Sequence, residues 1–414
     1  MLGSSTRVAS RDPFRNSVRA RLGDNAAVWI HRAADGCKSA ERGRSCDPGS
    51  LSPMLHGCGA RETEDPSVAR GTVIAAAVLV ACTLGTPGRA SGQKVEIGII
   101  DLYGLRRVSA HQVRETLTFA EGDTIAFGSA EEPGFLTESE ERLGRLPDVA
   151  RARIRPVCCD GGRAVVYVGV EERGASDDTF RADPDGDSRL AADIVRAGDE
   201  GAEALRLAVL SGDAGEDLSS GHSLADYPAL RAVQERFVLY AVRDSPALRR
   251  VLRRSSDAAH RALAAQVLGY AADKPAAVED LVYAMSDPSA KVRNDAMRAL
   301  MAFVAMRPSA STAVPRVPAQ PFIELLGSPV WSDRNKASLA LMALSAGRDP
   351  ELLAELRERA LPPLIEMARW KSEGHAFPAF FILGRLAGLS DEAANDLWNR
   401  GERETVIHAA QNHH

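Results

Sequence analysis

The sequence predicts an α+β multidomain chain, a small β-α-α-β-β module followed by an all-α helical solenoid. Three observations predict it. β-branched runs at Val95–Asp101, Val149–Val157 and Ala164–Glu171 enclose two short amphipathic stretches. An Asp/Gly-rich break, Asp183-Pro184-Asp185-Gly186-Asp187, comes next. Beyond it one Arg/Ala/Leu register recurs at helical spacing almost to the C-terminus.

Size and composition agree with that division. At 414 residues and 44.2 kDa the chain is too long for one ordinary small domain. Apolar residues make up 45% and aromatics only 5%, which favours helices packed through small side chains over a stacking platform for nucleic acid. Residues 1–70 hold 11 Lys/Arg against 8 Asp/Glu, and the rest 40 against 48. The body is therefore acidic, which argues against a phosphate-binding footprint.

Residues 1–68 are rich in Arg, Ser and Gly, lack apolar periodicity, and are expected to form a disordered leader. Residues 69–93 read as an export signal: Arg70 flanks the apolar run Thr72–Leu84, which is too short to span a bilayer comfortably. Its depth in the chain points to a start further downstream, with Met54 a candidate. Leu79-Val80-Ala81-Cys82 has the form of a lipobox, making Cys82 a candidate for acylation; Gly88-Arg89-Ala90 offers an ordinary cleavage site instead. A mitochondrial transit peptide is disfavoured by Asp12, Asp24 and Asp35. The expected location is the cell envelope, periplasmic or held by a lipid anchor.

The α/β module is expected over 94–172. Ser109 can cap a helix carrying Val113 and Leu117 on one face, closed by Glu121-Gly122-Asp123. Thr137 and Glu140 have capping-box spacing for a second helix running to Pro147. Asp160-Gly161-Gly162 is a hairpin turn between the last two strands. Cys158 and Cys159 read as one buried and one partly exposed thiol, since neighbours on a strand face opposite ways and a disulfide between them would need a strained turn. This order resembles a POTRA domain, through Gly104–Ser109, Val113–Leu117, Gly122-Asp123, Leu143–Ala150 and Val166–Glu172. The resemblance implies an exported module that binds a partner by strand addition at a sheet edge, here the strand carrying Val166 and Val168. No β-barrel accompanies the module, which puts an outer-membrane translocation role in doubt.

Residues 173–199 read as an acidic flexible linker. Asp183–Asp187 falls short of a calcium loop, with Gly at the fourth position and Ile194 where the bidentate Glu would stand.

Over 200–414 the register aligns Arg261, Arg293, Arg334 and Ala376, at spacings of 32, 41 and 42. Three residues on stand Ala264, Ala296, Ala337 and Ala379, and seven on stand Leu268, Leu300, Leu341 and Leu383. Small Ala lets helices approach, and Leu fills the space between them. Shorter apolar helices precede each copy at Pro246–Leu252, Val278–Met285, Phe322–Leu326 and Leu361–Ala368. A degenerate pair precedes them near 201–242, and Ser390–Ala410 caps the end. The pattern resembles HEAT repeats, most clearly at Asp287–Leu300 and Asp257–Gly269. The resemblance implies structural roles, linking repeats and turns, for Asp257, Arg261, Asp287, Arg293 and Arg334.

No catalytic, metal or cofactor site emerges. Gly221-His222-Ser223-Leu224-Ala225 lacks the last Gly of a nucleophile elbow. His260 and His375 share a repeat column, which reads as packing. Trp331 and Trp370 read as core between repeats. The expected function is a non-enzymatic scaffold binding protein partners, without nucleic acid and with membrane association only through a lipid. The alternative is an accessory or catalytic subunit of hydrolase or lyase type, using a pocket on the solenoid.

Overall fold

The computed structural model describes residues 93–127, 133–174, 180–213, 215–219, 221–305 and 315–413. The leader, the export signal and Cys82 lie outside the described residues.

The first module is a four-stranded sheet of order β2-β1-β4-β3. Its strands are β1 (Gln93–Tyr103), β2 (Thr124–Phe127), β3 (Val149–Asp160) and β4 (Arg163–Glu172), with helices α1 (Ala110–Thr116) and α2 (Gly134–Gly144). β1 runs parallel to β4, so the chain must cross over between them, and α1, β2 and α2 make the crossing. Ser109 caps α1 through Gln112 in a capping box.

Three local expectations are corrected. The stretch after Glu121-Gly122-Asp123 forms β2, because Ile97 and Gly122–Asp123 exchange backbone hydrogen bonds of 2.7 and 2.8 Å that bring the chain back beside β1. α2 begins at Gly134, not at Thr137. Glu140 does not complete a capping box; its carboxylate accepts the Ile154 N–H at 2.6 Å. Cys158 and Cys159 are joined in a disulfide, at a bulge where the register between β3 and β4 shifts and strand alternation no longer separates them. The hairpin itself is as expected. Gly161 and Gly162 both have positive φ, 56° and 79°, the conformation of a two-residue turn.

β4 is central, so the strand of Val166 and Val168 is no edge. One face of the sheet packs with Val113, Leu136 and Leu143 of the helices, through Ile97, Val166, Val168 and Val170. The other face carries Tyr103, Val165 and Tyr167 into the core of the helical region.

That region contains α3 (Ala192–Ser211), the short ladder β5 (Glu216–Asp217) with β6 (Leu224–Ala225), and α4 (Pro228–Arg243). It continues with α5 (Ser245–Arg254), α6 (Ala258–Leu268), α7 (Lys274–Ala284) and α8 (Ala290–Ala305). After the undescribed residues come α9 (Gln320–Leu325), α10 (Trp331–Leu344), α11 (Pro350–Ala368), α12 (Glu373–Leu386), α13 (Asp391–Asn399) and α14 (Arg403–Asn412). Helices α6, α8, α10 and α12 pack on one another in chain order. The Ala column (264, 296, 337, 379) and the Leu column (268, 300, 341, 383) are completely buried between them. α11 is far longer than the expected helix at Leu361–Ala368. Asp349 caps it and Pro350 starts it, and it runs through Pro362 and Pro363. The single capping element expected at Ser390–Ala410 is two helices, α13 and α14. Among the described residues no helix is long and apolar enough to cross a membrane.

Residues 180–190, expected to be flexible, lie against the helix pairs. The Arg181 N–H donates to Ser286 O at 2.8 Å, the Ser256 N–H donates to Gly186 O at 2.7 Å, and the Phe180 ring lies 3.8 Å from the Arg293 guanidinium. Helical structure then begins at Ala192.

Candidate functional site

The arginines of the repeat register point into the protein. Arg261 and Arg293 are buried, yet each is saturated with acceptors. Arg261 donates to both Asp287 oxygens at 2.9 Å, to Ser255 O at 2.9 Å and to Asp183 at 3.1 Å. Arg293 reaches Asp333 at 2.6 Å and the carbonyls of Asp287 and Pro288 at 2.7 and 3.0 Å. Arg334 donates to Ser328 O at 2.6 Å and to Glu366 at 2.7 Å. Each arginine therefore ties the turn before its own helix to a carboxylate further along the chain, the planar fork matching the carboxylate. Asp257 differs. It is partly exposed and caps α6, accepting from the N–H groups of Ala259 and His260. Sequence reasoning missed Arg181 and Asp183. Arg181 pairs with Asp287 at 3.3 Å and lies 3.7 Å from the Tyr283 ring centre, so the segment before α3 completes the row.

The α/β module is fixed to the helices by an aromatic seam. Tyr167 stacks on Trp331 at 5.3 Å and tilts against Trp370 at 5.0 Å; Tyr103 meets Trp370 at 5.6 Å. The Tyr103 hydroxyl donates to Pro329 O at 2.9 Å, and the Tyr167 hydroxyl is hydrogen-bonded to His375 Nδ1 at 2.6 Å. Burial pushes His375 down to about 4, so it is neutral at physiological pH. Asp101 accepts from the N–H groups of Lys371 and Ser372, its carboxyl pushed up by burial against the pull of those bonds. Gly169 permits the contact. A Cβ there would stand 2.0 Å from Pro329 O, so only glycine lets the two backbones approach this closely. The indole N–H groups of Trp331 and Trp370 are buried without a hydrogen-bond partner among the described residues, a cost in desolvation that the seam must offset.

Beside the seam lies a groove of about 1580 Å³ between the α/β module and helices α7, α9 and α11. Its walls are polar and apolar in nearly equal measure, with Leu105 and Val170 on the sheet side and Met285, Ile323, Leu361 and Ile365 on the helices supplying apolar side chains. Pro362 and Pro363 also line it. Having no N–H, they cannot donate to the carbonyls of Glu358 and Arg359 one turn earlier. Glu366, on the same wall, is spoken for by Arg334 and by the Gly104 N–H at 2.7 Å. Arg106 stands at the rim with no partner for its guanidinium among the described residues.

The sheet edges are closed by comparison. On β3 the outward N–H of Ile154 is taken by Glu140, and Pro156, two residues on, has none to offer. Beside β1, Glu121 accepts the Ile100 N–H and Arg114 donates to Ile100 O. The outer side of the four-residue β2 pairs with no other strand among the described residues.

The remaining candidates fall into structural surroundings. Ser223 accepts from Gln234 at 3.4 Å, and His260 Nδ1 accepts the Leu190 N–H at 2.9 Å. Asp183 is held by Arg261. Among the described residues no group of three His, Cys, Asp or Glu side chains could hold a metal ion.

No curated protein matches the chain. Over residues 245–341, which run from α5 through most of α10 and include the Arg261–Asp287 and Arg293–Asp333 pairs, the chain matches the family model of the HEAT repeats.

Proposed function

We propose that this chain is an exported, non-enzymatic scaffold that holds a segment of a partner protein in the groove between its α/β module and its helix pairs. The groove carries the reading. The side chains of Leu105, Met285, Ile323, Leu361 and Ile365 suit the apolar side chains of a bound segment, and Arg106 suits an acidic residue at one end. HEAT repeats generally mediate protein–protein interaction, and the match over 245–341 supports a solenoid built for binding. The POTRA-like order of the first module and the signal-like Arg70–Leu84, with Cys82 as lipid acceptor, support action at the cell envelope. Strand addition takes second place to the groove, because Glu140 and Pro156 close the long edge.

A photo-crosslinking residue placed at Leu361 in cells tests the reading. The expected result is a discrete adduct that disappears when Ile323→Glu is added and does not form from the exposed Glu392, outside the groove. Equal labelling from Glu392, or an adduct indifferent to Ile323→Glu, would overturn it.

A further inference from the structure

A second, smaller cavity of about 490 Å³ lies between the segment 181–186, the end of α5 and Tyr283 of α7. Its charged lining is Arg181, Arg253, Arg254 and Asp185. The Gly186 carbonyl accepts the Ser256 N–H at 2.7 Å and fastens the segment to the end of α5. The guanidinium groups of Arg181 and Arg253 lie 3.7 and 4.3 Å from the centre of the Tyr283 ring, which holds both in place.

These cations are unequally provided for. Arg181 donates to the Tyr283 hydroxyl at 2.6 Å and to Asp287 at 3.3 Å. Arg253 reaches Asp280 at 2.6 Å, but Arg249 takes the other oxygen of that carboxylate at the same distance. The Nε and Nη1 groups of Arg253 make no hydrogen bond among the described residues, and Arg254 has no hydrogen bond or ion pair there at all. Nor has Arg250. α5 thus carries four arginines and no acidic residue, and Asp280 is the one carboxylate among the described residues that pairs with any of them. Arg249 with Arg253, and Arg250 with Arg254, stand four residues apart and repel. The carbonyl end of the helix offsets part of this charge, but its field fades within the last turn. Asp185 lines the same cavity and forms no ion pair with either arginine.

We infer that this cavity binds a compact oxyanion, a phosphate or carboxylate group bearing at least two negative charges, on the free donors of Arg253 and Arg254. Their planar forks match the oxygens of either group. Two charges are needed because Asp185 opposes the first. An extended polyanion is disfavoured by the acidic body of the chain.

Calorimetric titration of the full chain with inorganic phosphate and with citrate, at a constant ionic strength of about 0.15 M, tests this. The expected result is saturable one-to-one binding of at least one of them, and the tighter of the two tells phosphate from carboxylate as the preferred group. Arg254→Gln should weaken binding about tenfold, the loss of one charge-assisted contact, with an unchanged circular dichroism spectrum because the side chain is exposed and unpaired. Arg250→Gln removes the same charge from the same helix outside the cavity and should leave the affinity nearly unaltered. Absence of saturable binding by both ions would overturn the inference. So would an affinity indifferent to Arg254→Gln, or equal losses from the two substitutions. None of these outcomes bears on the groove, whose walls include neither Arg253 nor Arg254.

Discussion

Tyr167 and His375 are 208 residues apart in sequence and are joined by a 2.6 Å hydrogen bond across the seam between sheet and helices. Burial keeps the imidazole neutral by pushing His375 down to about 4 from an ordinary 6.5. The seam is thus sensitive to acid. A histidine whose folded value is depressed contributes stability that is fully present above 6.5 and is lost as pH falls through 4, because only the unfolded chain takes up the proton. Urea unfolding should show a loss of about 2–3 kcal/mol from this group between pH 7 and pH 4. His375→Asn should remove that part of the slope.

Lys274 gives a slope of the same sign at alkaline pH. Buried at the start of α7, with Gly269 O at 3.4 Å as its one acceptor among the described residues and the Phe303 ring 4.6 Å away, it is pushed down to about 8 from 10.5. The folded protein releases this proton first, so stability should rise between pH 8 and pH 10.5. Lys274→Met keeps the packing and removes the charge. It should raise stability at pH 7 by about 1–3 kcal/mol, read from denaturant midpoints, and abolish the alkaline rise.

The buried pair of Arg293 and Asp333 should show strong coupling. Removing either partner leaves a charge without compensation and should cost about 3–5 kcal/mol. A double-mutant cycle with Arg293→Met and Asp333→Ala should return much of that loss in the double variant.

Substitutions inside α8 should be felt beyond it. Ala296→Leu overpacks the space between helices and should cost roughly 1–3 kcal/mol; Leu300→Ala leaves a cavity and should cost about 2–5 kcal/mol. Tyr103, Val165 and Tyr167 belong to the same core as Ala296 and Leu300, so hydrogen exchange should rise in β4 as well as in the neighbouring helices. The sequence alone pointed to a first module isolated by a flexible linker, which would have left β4 untouched.

That contrast marks what the sequence could reveal. The repeat columns were legible because the same Arg, Ala and Leu environments recur, and periodicity reports recurrence directly. The partners of those arginines were partly hidden. Arg181 and Asp183 lie in a stretch whose Asp, Gly and Pro content reads as linker, although their side chains pair with the buried Asp287 and Arg261. β2 was missed because four residues are too few to show alternation. The edge was misplaced because strand order depends on the parallel pairing of β1 with β4, and no local pattern encodes that pairing. The groove was invisible for the same reason: its walls come from Leu105, Met285, Ile323 and Leu361, which only the docking of the module brings together.

The central claim is that the module and the helix pairs form one docked unit whose seam creates the groove. Gly169→Arg tests it most directly, by driving a side chain into Pro329 O. Amide exchange of the full-length variant should show Tyr167, Lys371 and Ser372 losing protection together, while α6 and α8 keep theirs. Unchanged protection of Lys371 and Ser372, whose N–H groups Asp101 holds across the seam, would contradict the account.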